Sequence, residues 1–222
     1  MIRSLLLFFA FALSSVSYCQ EINLDLKNEL KLILLKDQGF RELFIGGISD
    51  ERKQELLKEL SISEKDFSEN EMKLFNRNDS LNLVEVEKII KEYGYPEKSL
   101  VGEPENEAAW FVIQHSDKIE EYFPLIEKAS EKVELKRSKV AMMEDRMLMH
   151  KGEPQIYGTQ GKDLHIVNDQ NKQKEFFQLI WPIKNPENVN ELRKTVGLNS
   201  TIEDYAQQLG IEYKVYTIEE VN

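Results

Sequence analysis

The sequence predicts a mainly α (α+β) protein: a single helical domain that ends in a small antiparallel β hairpin or sheet. Three observations lead there. Apolar residues recur three and four positions apart through most of the stretch from Leu24 to Met149. Capping residues such as Ser49 and Thr201, and stops such as Gly94 followed by Pro96, bracket those stretches. Beyond Gly152 the pattern changes to short runs rich in β-branched and aromatic residues.

Composition removes several classes. The 222 residues hold 40 Asp+Glu against 29 Lys+Arg, a formal net charge of -11, which opposes binding to nucleic acid phosphates. With 41% hydrophobic residues the chain is too apolar to stay disordered, and its single Cys excludes a disulfide scaffold.

Residues 1–19 read as a signal peptide. Arg3 supplies the positive start, Leu5 to Leu13 is an unbroken apolar run too short to span a bilayer, and Ser17 and Cys19 are small residues at positions -3 and -1 of a cleavage before Gln20. The expected location is therefore periplasmic or secreted. A lipid anchor on Cys19 fits less well, because bulky Tyr18 precedes it. Residues 20–222 then form one globular domain with no transmembrane segment and no linker dividing it.

Each element has a local cause. Leu24, Leu26, Leu30, Ile33 and Leu34 predict a helix over 24–38, stopped by Gly39. Ser49 caps a second, with Asp50 and Glu51 in its first turn. Residues 61–80 suggest a short helix and a loop around 76–79, and a third main helix runs from Leu83 to Tyr93. Residues 105–115 are apolar nearly all round, as befits a central helix. Residues 118–132 are helical with a break at Pro124, and 136–150 form a Met-rich helix ending before Gly152. Residues 155–160, 164–167 and 174–181 favour strands, and two short helices, 189–196 and one capped by Thr201, close the chain.

Asp145 and Arg146 are opposite charges set among Met142, Met143, Met147 and Met149. Neighbours on a helix point about 100° apart, so each needs a partner on another element. Asp37 or Asp117 would serve Arg146, in a buried structural network or in an active site. His115 follows Phe111 and Val112 on the same helical face, as a hydrogen-bonded core residue or as a general acid or base oriented by Asp117 or Asp145. Metal binding is not expected, since His115 and Asp117 diverge at i,i+2 and His150 and His165 have no ligand spacing. Tyr157-Gly158-Thr159-Gln160 reads as an edge or hairpin where Gly158 allows a backbone or ligand close approach, or marks a bulge. Asp37 and Arg41 form an i,i+4 pair if Gly39 leaves the helix intact. No phosphate loop, nucleophile elbow, zinc-protease motif or dinucleotide fingerprint occurs, so no cofactor is indicated. Ser116 and Thr159 are hydroxyls without a local activating signature.

Taken together, the strings Asp37-Gln38-x-x-Arg41, Asp79-x-x-Asn82, Tyr93-Gly94-x-Pro96, Gln114-His115-x-Asp117, Asp145-Arg146, Gly152-x-x-Gln155 and Tyr157-Gly158-Thr159-Gln160 resemble a bacterial family catalogued as a domain of unknown function, family 6624. Tyr95 departs from the tryptophan expected there. The resemblance implies a shared domain over most of the chain and implies no activity. It also adds Gln38 and Gln114 to the candidates. The expected site has His115, Asp117, Asp145 and Arg146 in catalytic roles. Around a small polar ligand it sets Asp37, Gln38, Arg41, Gln114, Gln155, Tyr157, Thr159 and Gln160. The rival is a cell-envelope interaction or structural domain whose polar motifs form a closed network.

Overall fold

The computed structural model describes residues 21–45, 47–167 and 174–221. The signal-peptide reading of residues 1–19, the cleavage at Cys19/Gln20 and the side chain of His165 lie outside what it describes. It is mainly helical, with a two-stranded antiparallel sheet near the C-terminus.

Helix α1 spans Leu24–Ile45, opened by Asn23, whose Oδ1 accepts from the Leu26 amide at 3.1 Å. It does not stop at Gly39. Gly39 is buried facing α2 (Asp50–Glu59), where an added Cβ would meet Leu56 Cδ2 at 3.4 Å. The glycine lets two helices pack closely, and burial of Phe40 and Leu43 carries α1 onward.

The larger departure is α3, one helix over Glu64–Tyr93 bent at Asn70, in place of the expected loop and shorter helix. Its buried stripe runs Phe67, Asn78, Asn82, Val86 and Ile89. Two asparagines on that stripe break the apolar periodicity while the backbone continues. Helix α4 (Lys98–Val101) and a 3-10 turn at 105–107 lead into α5, Ala108–Ile113, shorter than the predicted 105–115. Gln114 and His115 therefore fall in the turn after the helix. Central burial is as expected: Trp110 and Ile113 are 1% and 0% exposed, each contributing about 1.5–3 kcal/mol of apolar burial.

Helix α6, Ile119–Glu131, continues through Pro124. Proline sacrifices one amide bond near the helix start, and burial of Ile119 and Ile126 outweighs it. Helix α7, Arg137–His150, packs on α6 and α5, with Trp110 Nε1 donating to the Lys139 carbonyl at 2.8 Å.

Residues 155–160 are not a strand. Apart from one bridge between Gln155 and Ile183, they form a loop, and the sheet pairs β1 (Gly161–Val167) with β2 (Lys174–Ile180), Gly161 opposite Ile180. A second core of Ile180, Ile183, Val189, Ile202, Ala206 and Ile211 gathers α8 (Val189–Thr195) and α9 (Ile202–Gln208) beneath it. The short α10 (Ile218–Val221) packs Val221 against Leu179 and Trp181. Among the described residues no helix is long and apolar enough to cross a membrane.

Candidate functional site

Because α1 runs through Gly39, Asp37 and Arg41 lie one turn apart on a single helix. Asp37, 1% exposed, accepts from Arg41 Nη2 at 3.1 Å, from Arg41 Nε at 3.3 Å and from Gln38 Nε2 at 2.7 Å. Arg41 Nη2 also donates to Asp79 Oδ1 at 3.1 Å, and the guanidinium lies 5.2 Å from the centre of the Phe75 ring. Burial pushes the Asp79 carboxyl above its ordinary pKa, and the charge of Asp37 adds to that while Arg41 opposes it.

Arg146 is not held by Asp37 or Asp117. Its Nη1 lies 3.2 Å from His115 Nδ1, its Nε is buried without an acceptor, and it forms no ion pair among the described residues. Burial, and then the charge of Arg41, lowers its pKa. An arginine only donates, so Nδ1 accepts and the proton of the neutral ring stands on Nε2. Burial, then Arg41 and Arg146, push the His115 pKa down to about 3. The residue as a whole is exposed, and water damps that shift without reversing it, so the ring is neutral at pH 7. Neither Asp117 nor Asp145 hydrogen-bonds the ring. Asp37, Asp79, His115, Ser116 and Asp117 line a cavity of about 330 Å³, bounded also by Asn76, Ser80 and Leu83 of α3. The loop expected at 76–79 is in fact this helical wall.

Asp145 does something different. Fully buried, its Oδ1 accepts from the amides of Ile156 at 2.7 Å and Tyr157 at 3.0 Å, while Oδ2 accepts from the Thr159 amide and hydroxyl, both at 2.9 Å. Burial raises its pKa against the opposing pull of those amides. Gln155, also fully buried, donates to the carbonyls of Gln160 at 3.0 Å and Trp181 at 2.7 Å and accepts from the Gln160 amide at 2.9 Å. Gln160 Nε2 reaches the Met142 carbonyl at 3.2 Å. Arg193, 1% exposed, donates to the carbonyls of Tyr157 and Ser200, each at 2.8 Å. Side chains and not a ligand approach Gly158: at φ +69° an added Cβ would stand 2.5 Å from Ile202 Cδ1 and 2.8 Å from Ile183 Cδ1. The loop 155–160 is thus a clasp joining α7 to the C-terminal core.

A family model described as a family of unknown function (DUF6624) matches residues 25–217. The chain belongs to that family. No curated protein and no solved structure matches it.

In this DUF6624 chain the expected site residues divide in two. Asp37, Gln38, Arg41, His115, Asp117 and Arg146 gather at or beside the cavity with Asp79. Asp145, Gln155, Thr159 and Gln160 form the clasp. Tyr157 gives its amide to Asp145, while its side chain lines a separate surface cavity with Glu144 and Arg137. Gln114 is 5% exposed and lines neither. Arg193 has no signal in the sequence, being one basic residue on a short, mostly polar helix. Among the described residues no group of three or more His, Cys, Asp or Glu could hold a metal ion.

Proposed function

We propose that this protein is exported and binds a small polar ligand in the cavity between α1, α3 and the turn after α5. The observation that supports it is that residues from three separate segments, Asp37, Asp79, His115 and Asp117, line one cavity of about 330 Å³. Asp79 and Asp117 offer acceptors to hydroxyl or amine groups. The Nε2–H of His115 offers a donor, and Arg41 and Arg146 hold a positive field behind the ring.

A hydrolytic version uses His115 as acid or base and Arg146 to stabilise an anion. The lone pair of the ring is turned to Arg146, so the geometry favours binding over proton abstraction. The structural reading fits the other half of the motif set, because the Asp145 carboxylate is fully engaged by its own chain.

Thermal-shift screening of sugars, polyols, amino acids and nucleosides checks this. A class that stabilises the wild type and loses its effect in folded His115→Gln and Asp79→Asn variants is expected. Compounds that stabilise both variants as well as the wild type would remove the cavity as the site.

A further inference from the structure

On the adjoining face of α3 lies a further cavity, of about 430 Å³, between α1, α3 and the turn joining α2 to α3. Phe40, Leu60 and Leu74 give it apolar walls, and Asn78 and Asn82 contribute carboxamides. Asn82 is 3% exposed and its Nδ2 has no acceptor among the described residues. Buried amide donors are nearly always satisfied, so an orphan beside a cavity points to an acceptor supplied from outside. Asn78, 7% exposed, makes only a long 3.4 Å bond to the Lys36 carbonyl.

The charge at this cavity runs against the rest of the chain. No Asp or Glu lines it, although the protein carries a net charge of -11. Its two charged residues are Lys36 and Arg77, both exposed, and neither joins an ion pair among the described residues. Apolar walls, inner amides and a cationic mouth complement a molecule with an apolar side group, a carbonyl acceptor and one carboxylate.

We propose that this cavity binds an N-acylated apolar amino acid, either as a free small molecule or as the C-terminal unit of a peptide. The apolar group meets Phe40, Leu60 and Leu74, the Asn82 carboxamide, whose unpartnered Nδ2 is turned inward, rotates to donate to the acyl carbonyl, and the carboxylate lies toward Lys36 and Arg77. This site is independent of the His115 cavity, and its residues take no part in that reading.

The test is an NMR titration of the full chain with N-acetyl-leucine, following the side-chain amides of Asn78 and Asn82. Saturable shifts of the Asn82 amide are expected. Neutral N-acetyl-leucinamide should bind about tenfold or more weakly, as should the acid to a folded Lys36→Glu/Arg77→Glu variant. A pentapeptide ending in leucine separates the sources: binding at least as tight as the acid assigns a peptide terminus, and weaker binding assigns the free compound. Absence of a saturable shift, equal binding of the neutral amide, or unchanged affinity in the charge-reversed variant would each overturn the proposal.

Discussion

Asp145→Asn turns the division between clasp and cavity into a number. The amide keeps an oxygen for the Ile156 and Tyr157 amides but presents an NH₂ group to the Thr159 amide and hydroxyl, each now 2.9 Å from Oδ2. Leaving one buried backbone N–H without an acceptor costs about 1–3 kcal/mol, and the surviving bonds fall from about 1.5–3 toward about 0.5–1.5 kcal/mol as they lose their charge. Removing a buried carboxylate returns part of this, because burial already opposes its ionisation. The net loss is about 2–4 kcal/mol, which for a chain of this size lowers Tm by roughly 5–15 °C. Urea and thermal unfolding measure both, with Thr159→Val as a milder control losing about 1–2 kcal/mol. An Asp145→Asn protein within about 0.5 kcal/mol of wild type would show that the loop does not depend on the carboxylate.

Three other perturbations have defined outcomes. The free histidine pKa of 6.5 falls to about 3 in His115, so the unfolded chain binds the extra proton between those values. That contribution to stability is present above pH 6.5 and is lost as pH falls toward 3; the urea midpoint of wild type should therefore drop relative to His115→Gln between pH 7 and pH 5, and parallel curves would contradict it. Gly158→Ala must push aside both Ile202 and Ile183 while holding φ at +69°, costing roughly 2–4 kcal/mol, whereas Gly152→Ala, with nothing within 4 Å, should cost only about 1–2 kcal/mol of backbone strain. Equal unfolding midpoints for the two would refute the packing role of Gly158. Expression in a bacterial host with an intact envelope should yield a protein whose mass begins at Gln20, and an uncleaved cytoplasmic product would remove the export reading.

Much of the helical layout was legible because caps and stops are local chemistry. Ser49 accepts from the Arg52 amide and Thr201 from the Asp204 amide, as their positions ahead of acidic first turns imply. What escaped depended on distant partners. Gly39 reads as a stop until Leu56 and Leu60 are set against it, and α3 stays hidden while Asn78 and Asn82 occupy its buried stripe. Strand-like sequence at 155–160 became a loop because the Asp145 carboxylate and the Gln155 side chain satisfy its amides in place of a neighbouring strand. For the site, the motif strings named most of the participants. Their separation into a cavity and a clasp was not legible, since nothing local to Asp145 says that its oxygens face residues 156–159 while those of Asp37 face Arg41.

The ring nitrogens of His115 provide the most direct check on a binding cavity as opposed to a general base. Long-range ¹H–¹⁵N NMR at pH 7 and pH 5 should find a neutral imidazole with its proton on Nε2 and Nδ1 accepting from Arg146. A doubly protonated ring at pH 5, or a neutral ring with the proton on Nδ1, would contradict that arrangement, and the second result would leave Nε2 free to act as a base.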